Sequence, residues 1–90
     1  MKISSLFIYR KIADEHLLIP AGEAAMTVKG LVAMSESGAM LYEKLKTGCS
    51  REDLIAALTT EYDVSEPAAA QDTDAFLAQM RQLNILIEDT

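Results

Sequence analysis

His16 and Cys49 are the two side chains of this sequence best suited to acid–base or nucleophilic chemistry, and each is the only one of its type in the 90 residues. A histidine that binds metal or moves protons needs partners, yet no cysteine and no second histidine accompanies His16 in its predicted strand. A reactive cysteine needs a base or positive charge that lowers its pKa. Lys46 and Arg51 are near Cys49 in sequence, but a solvated thiol in a turn is the simpler interpretation. We expect neither residue to be catalytic.

Another candidate site is a cluster of three acidic residues, Glu61, Asp63 and Glu66. These carboxylates could hold a cation, but they fall where one predicted helix ends and the next begins, where acidic residues commonly cap and solvate helix ends. The phosphate-binding, zinc-protease, paired-cysteine and nucleophile-elbow motifs do not occur in the sequence. The sequence therefore predicts a protein that is not an enzyme, with no catalytic residues, no metal and no cofactor.

Charge and hydropathy narrow the class of partner. Fourteen acidic residues against eight basic ones give a net charge of −6, which disfavours nucleic acid and anionic membranes because their phosphates require Lys and Arg. Partners of basic character fit better. No apolar stretch approaches the roughly 20 residues that span a bilayer, and the apolar run at the start is too short for a secretory signal. A lone cysteine excludes an internal disulfide. We expect one cytoplasmic domain over residues 1–90.

The front half of the chain predicts three strands. Residues 6–12 and 15–19 are rich in β-branched and aromatic side chains, with a turn at Ala13-Asp14, so they predict a hairpin. Pro20 and Gly22 then indicate a loop. Residues 28–34 predict a third strand that contains Gly30, and a glycine inside a strand often marks a bulge or a close backbone approach.

The second half predicts three helices, each opened by a serine N-cap: Ser35, Ser50 and Ser65. The first helix ends at Gly48, and an internal glycine, Gly38, costs about 1 kcal/mol against alanine, so we expect tight packing there. Further capping signals are Asp53, Pro67 and Asn84. A short extended segment over 85–87 follows.

These elements predict an α+β fold, with a three-stranded antiparallel sheet followed by three helices. The arrangement is similar to a small winged helix-turn-helix domain. A sheet this small has an unpaired edge, which can pair with another chain.

The motifs and their order resemble the PqqD-like family over nearly the whole chain. The matching segments are Met34-Ser35-Glu36-Ser37-Gly38-Ala39, Gly48, Ser50-Arg51-Glu52-Asp53-Leu54, Glu61-Tyr62-Asp63-Val64-Ser65, Phe76-Leu77-Ala78-Gln79-Met80, Leu83-Asn84-Ile85-Leu86 and, in the front half, Ile19-Pro20-Ala21-Gly22-Glu23-Ala24. Ser35, Met80 and Asn84 stand where the family usually has Asn, Leu and Gly. The Pro-Glu-Gly-Met stretch of the pyrroloquinoline quinone members is not clearly present. The resemblance is to the broad family, and it does not imply a part in making that quinone.

The resemblance implies a non-catalytic peptide chaperone, or recognition element for ribosomally made peptides. Such proteins bind the leader of a precursor peptide and present it to a modifying enzyme, often a radical SAM protein. The leader adds as a strand to the third strand and packs against the third helix. By this resemblance the edge residues would be Lys29, Gly30, Leu31, Val32 and Ala33, and the helix wall would include Asp72, Ala75, Phe76, Gln79 and Met80.

Two other functions stay open from the residues alone. The chain could be an adaptor or subunit docked to an unrelated enzyme, which would bind its partner equally well without peptide. A winged-helix DNA-binding regulator would need a basic recognition helix, whereas the second and third helices mix Arg51 and Arg81 with several acidic residues. The exposed edge also offers a way to pair two copies as a homodimer.

Overall fold

The computed structural model describes residues 1–3, 7–27 and 30–87. Within these ranges the elements are, in chain order, β1 (Lys2–Ile3), β2 (Phe7–Ile12), β3 (Glu15–Pro20), α1 (Ala24–Thr27), β4 (Val32–Met34), α2 (Glu36–Lys46), α3 (Arg51–Glu61), α4 (Glu66–Gln82) and β5 (Leu86–Ile87). The three-stranded sheet and the three helices after it confirm the predicted α+β class. The likeness to a winged helix-turn-helix stays a prediction.

The main sheet has the strand order β2-β3-β4 and is antiparallel throughout. Its hairpin turns at Ala13, whose φ of 55° is the left-handed conformation of a tight turn, and Ile12 pairs with Glu15 across it. On the other side of β3, Leu17 pairs with Ala33. A separate two-stranded sheet joins β1 to β5. The strand order β2-β3-β4 thus leaves β4 as an outer strand of the main sheet.

The helix caps confirm the capping signals of the sequence. Ser35 and Ser65 accept hydrogen bonds from the amide nitrogens of Gly38 and Ala68. Ser50 and Asp53 form a reciprocal capping box at the start of α3. The helix ends follow the same logic, because Gly48 and Asn84 lie just beyond α2 and α4 with φ of 85° and 60°.

One hydrophobic core lies between the inner face of the sheet and the helices. Its fully buried side chains come from β3, from all three long helices and from the segment before β5: Leu18, Leu41, Leu45, Leu54, Leu77, Met80 and Ile85. Burying each such side chain contributes about 1.5–3 kcal/mol, so the core fixes α4 against α2 and α3. No helix in the described ranges is long and apolar enough to cross a membrane.

The structure corrects the prediction at three places in the front half. The predicted third strand over 28–34 is shorter, because the described strand is Val32–Met34 only. Gly30 is therefore not inside a strand; it lies in a bend with φ of 85°, and a Cβ built on it would meet nothing within 4 Å among the described residues. The segment predicted as loop contains α1, and β1 was not predicted. Leu6, Val28 and Lys29 lie outside the described residues.

A candidate peptide-binding groove beside the outer strand

A groove of about 310 Å³ runs between β4 and α4, with the start of α2 as its floor. β4 and the cap residue after it form one side, and one face of α4 forms the other. The lining residues are Ala33, Met34, Ser35, Ser37, Gly38, Leu41, Asp72, Ala75, Phe76 and Gln79. The outer edge of a strand and an open groove therefore lie side by side.

The pairing pattern indicates which backbone groups of β4 face the groove. A tight turn is closed by a hydrogen-bonded pair, here Ile12 and Glu15, and paired residues in an antiparallel ladder then alternate between bonded and non-bonded. Along the continuous register, the backbone N–H and C=O of Leu17 point toward β2. Those of His16 and Leu18, the residues on either side of it, point toward β4. Leu17 and Ala33 are then a non-bonded pair, so the N–H and C=O of Ala33 point away from the sheet. These are the groups that an added strand would bond.

The wall on α4 consists of Asp72, Ala75, Phe76 and Gln79, which share one helix face because they are three and four residues apart. Phe76 is only 6% exposed and connects the wall to the core, whereas the other three are exposed. Core packing thus holds the wall rigid while small or polar side chains keep it open. A mixed surface of this kind suits a peptide in extended conformation.

Gly38 keeps the floor of the groove low. A Cβ at this position would come within 3.2 Å of Ser35 Oγ, 3.7 Å of Met34 Cβ and 3.8 Å of Phe76 Cδ1. The tight packing expected at Gly38 from the sequence is therefore present, and it occurs where α2, β4 and α4 meet. Gly38 also donates its N–H to Ser35 Oγ at 3.0 Å, which fixes the cap that follows β4.

An ion pair outside the groove braces the wall. Arg51 on α3 donates two hydrogen bonds to Asp74 on α4, from Nε to Oδ1 at 2.7 Å and from Nη2 to Oδ2 at 3.0 Å. The hydrogen bond and charge of Arg51 lower the pKa of Asp74, with a further contribution from Arg81. Asp72 lies on the groove side of the same helix and forms no ion pair within the described residues. Of the two aspartates, Asp72 is therefore the one available to a ligand.

The residues predicted for peptide binding fall into three groups. Ala33, Asp72, Ala75, Phe76 and Gln79 line the groove. Gly30, Leu31 and Val32 lead into it, with Leu31 58% exposed and Val32 half-buried. Met80 is fully buried and supports the wall from the core side, and Lys29 lies outside the described residues.

Sequence reasoning missed the contribution of α2 to the groove. Leu41 belongs to the hydrophobic core, Met34 packs against it, and Ser35 caps α2 as the sequence predicts. The same three residues also line the groove, together with Ser37 and Gly38. The available signal was Gly38, because a glycine kept inside a helix predicts a close neighbour.

His16 and Cys49 occupy structural positions. Tyr9 Oη and His16 Nδ1 are hydrogen-bonded at 2.6 Å, and the two rings stack with centroids 6.0 Å apart. Cys49 is half-buried rather than solvated, and burial raises the pKa of its thiol, with Asp53 adding to the shift, which makes it a poor nucleophile. Its backbone bonds Met1 in both directions. In the described ranges, no three His, Cys, Asp or Glu side chains could hold a metal ion.

The sequence of the chain decides its family. The model of the family described as coenzyme PQQ synthesis protein D (PqqD) matches residues 15–86. The chain belongs to the PqqD family. The match runs from the start of β3 to the first residue of β5 and thus includes every element that forms the groove. No curated protein matches the chain in sequence.

Two solved structures share the fold. TbiB1, in a complex with the TbiA(beta) leader peptide, is 23% identical with a TM-score of 0.78, and the match covers 100% of this chain and 99% of that one. A lasso peptide synthetase B1 complexed with its leader peptide is 16% identical with a TM-score of 0.76, covering 97% of this chain and 96% of that one. At these identities the likeness shows a shared fold, over 97% or more of this chain.

Proposed function

We propose that this PqqD-family chain is a single-domain, non-catalytic peptide chaperone that binds the leader of a ribosomally made precursor peptide. The leader adds as a strand to the outer edge of β4 and places side chains in the groove against α4. The observation that carries this proposal is that the edge of β4 centred on Ala33, which has no partner strand among the described residues, lies beside the groove lined by α4. Backbone bonds at the edge supply affinity, and the groove supplies selectivity.

Two further observations support a peptide ligand. Both solved relatives described above are complexes with leader peptides. Among the described residues, Asp72 is the only ionisable group that lines the groove, so this surface has no pair of groups for acid–base work. On this proposal, the bound leader is delivered to a separate enzyme that modifies it. We propose a radical SAM enzyme in that role.

The binding site includes the predicted residues of both walls: Lys29, Gly30, Leu31, Val32, Ala33, Asp72, Ala75, Phe76, Gln79 and Met80. Of these, Met80 acts from behind by holding Phe76 and the helix in place, since it is fully buried. The open edge also allows two copies to pair in the absence of peptide, and we propose that leader and second copy compete for it. Dilution should then favour leader binding.

The test is a titration of isotope-labelled protein with the leader half of the precursor peptide encoded beside its gene, followed by NMR. We expect amide shifts concentrated at residues 30–35 and along the groove face of α4, at micromolar or lower peptide concentration. Shifts confined to other surfaces, or none with a folded protein, would contradict the proposal. Binding of a partner enzyme that is equally strong without peptide would instead favour the adaptor function.

A further inference from the structure

The groove beside β4 does not end at the cap of α2. A second hollow of about 290 Å³ shares Ser35, Ser37 and Asp72 with it and extends to Leu58, Tyr62 and Val64. A third, of about 300 Å³, shares Glu36 and Tyr62 with the second and reaches the aromatic pair of the hairpin, Tyr9 and His16. The shared residues make one continuous path around the first turn of α2.

We call this path beyond the groove the acidic track, defined by Asp72, Glu36, Glu61 and Tyr62. Three described strand residues of β4 span only about 10 Å, so a peptide that leaves the strand must cross further surface. The track begins where β4 ends and is continuous with the groove, which makes it the path open to the next segment of the same peptide.

The charge along the track has one sign. The second and third hollows are lined by four carboxylates: Asp72, Glu36, Glu43 and Glu61. Among the described residues, no Lys or Arg lines either hollow. Glu43 pairs with Lys46 at 3.7 Å, whereas the other three carboxylates form no ion pair in the described part of the chain. Burial raises the pKa of Tyr62, and the charges of Glu36 and Glu61 raise it further, consistent with a negative potential there.

The floor of the track is apolar. Leu58 is 2% exposed, and Tyr62 and Val64 contribute accessible apolar surface beside it. An apolar floor with acidic rims matches a side chain that has an aliphatic stem and a cationic tip, because such a side chain lays its stem on the floor and its charge at the rim. The face of Tyr62 or Tyr9 can add a cation–π contact. An acidic peptide segment would be repelled.

We propose that the acidic track binds a basic segment, carrying one or more Lys or Arg, that directly adjoins the strand-forming segment of the leader. This inference rests on the proposed function, because the peptide reaches the track only through the groove at β4. It names the substrate class: leaders in which a positively charged stretch follows or precedes the strand segment.

A phage-displayed library of random peptides about 16 residues long, selected on the immobilised protein, tests the inference without a known leader. The wild type should enrich Lys and Arg at positions next to an extended apolar segment. Glu36→Lys should lose that enrichment and lower the affinity of the selected peptides by about fivefold. Glu52→Lys is the matched control, since Glu52 also lies in the first turn of a helix, is exposed and is not among the residues that line the track.

The outcomes separate the two proposals. Peptides that require the Ala33 edge but show no preference for Lys or Arg, or that lose affinity equally in the Glu36 and Glu52 variants, would overturn the acidic track and leave the proposed function standing. If Ala33→Pro leaves selection of every peptide unchanged, strand addition at β4 is wrong, and the track falls with it. Loss of the basic preference in the Glu36 variant alone supports both.

Discussion

The two outer strands of the main sheet, β2 and β4, differ in charge, in length and in what lies beside their open edges. β2 is six residues long and carries Arg10 and Lys11, and charged side chains discourage pairing at an open edge. β4 is three residues long and uncharged, and it ends at a groove walled by α4. Both edges are unpaired in the described part of the chain. On the proposed function, the two edges differ because α4 stands beside β4, where it can contact the side chains of an added strand.

The largest expected loss of leader affinity comes from removing one backbone hydrogen-bond donor at the open edge of β4, the N–H of Ala33. Ala33→Pro should weaken leader binding by about 10- to 100-fold, because a lost hydrogen bond with its unpaired acceptor costs about 1–3 kcal/mol, while the fold persists since this N–H points away from β3. Isothermal titration calorimetry measures the affinity and circular dichroism the fold.

Two variants control for that substitution. Ala33→Ser keeps the N–H and should bind within a few-fold of wild type. Lys11→Pro makes the matching change on β2, where the alternation also directs the N–H outward, and should leave binding unchanged. Equal losses from Ala33→Pro and Lys11→Pro would erase the distinction between the two edges.

Blocking the wall should have the next largest effect. Ala75→Trp places an indole in the groove at an exposed position of α4, so we expect about a tenfold loss of affinity with a change in unfolding free energy within about 0.5 kcal/mol. Ala78→Trp, on the same helix and also exposed but not among the groove residues, is its control. Fluorescence anisotropy of a labelled leader reports both, and similar affinities for the two would show that the groove does not hold side chains.

A smaller change is expected from raising the floor. In Gly38→Ala the new methyl group must displace Ser35 Oγ, 3.2 Å away, and this strain opposes a helix-propensity gain of about 1 kcal/mol. Stability should therefore change by less than about 1 kcal/mol in urea unfolding. Leader affinity should still fall a few-fold because the cap after β4 shifts. Unaltered affinity would indicate that the peptide does not approach α2.

The smallest effect concerns the brace behind the wall. The pKa of Asp74 is lowered in the fold by Arg51, so its contribution to stability is present above the ordinary value of 3.8 and is lost as the pH falls through the lowered folded pKa. Asp74→Asn should be slightly less stable than wild type near neutral pH, and the difference should vanish in acid. Urea midpoints measured from pH 7 to pH 2 show this.

Leader affinity at neutral pH should be almost unaffected in Asp74→Asn, because Asp74 does not line the groove. A large loss of affinity in this variant would mean that the wall moves when the brace is removed, and that β4 alone does not define the site.

The sequence predicted the helices of the second half of the chain better than the strands of the front half. The helices were predictable because their signals are local: Ser35, Ser50 and Ser65 each bond an amide three residues on. The strand at β4 was overextended because its length is set by pairing with β3, a contact that local sequence does not encode.

The candidate site divides in the same way. The residues of the wall on α4, Phe76 among them, were predicted from the family resemblance, and their spacing places them on one helix face. The floor depends on three elements meeting at Gly38, and the acidic track depends on bringing Glu36, Glu61 and Asp72 together from distant parts of the chain. Such tertiary neighbours lie beyond periodicity and capping rules.

Amide hydrogen exchange at Ala33, measured by NMR with and without saturating leader peptide, tests the central claim most directly. Strand addition at β4 predicts that the Ala33 amide becomes protected on binding while the amide of Lys11 on β2 exchanges as before. An Ala33 amide that exchanges equally fast in the complex, or protection that arises at Lys11 instead, would contradict peptide pairing at this edge.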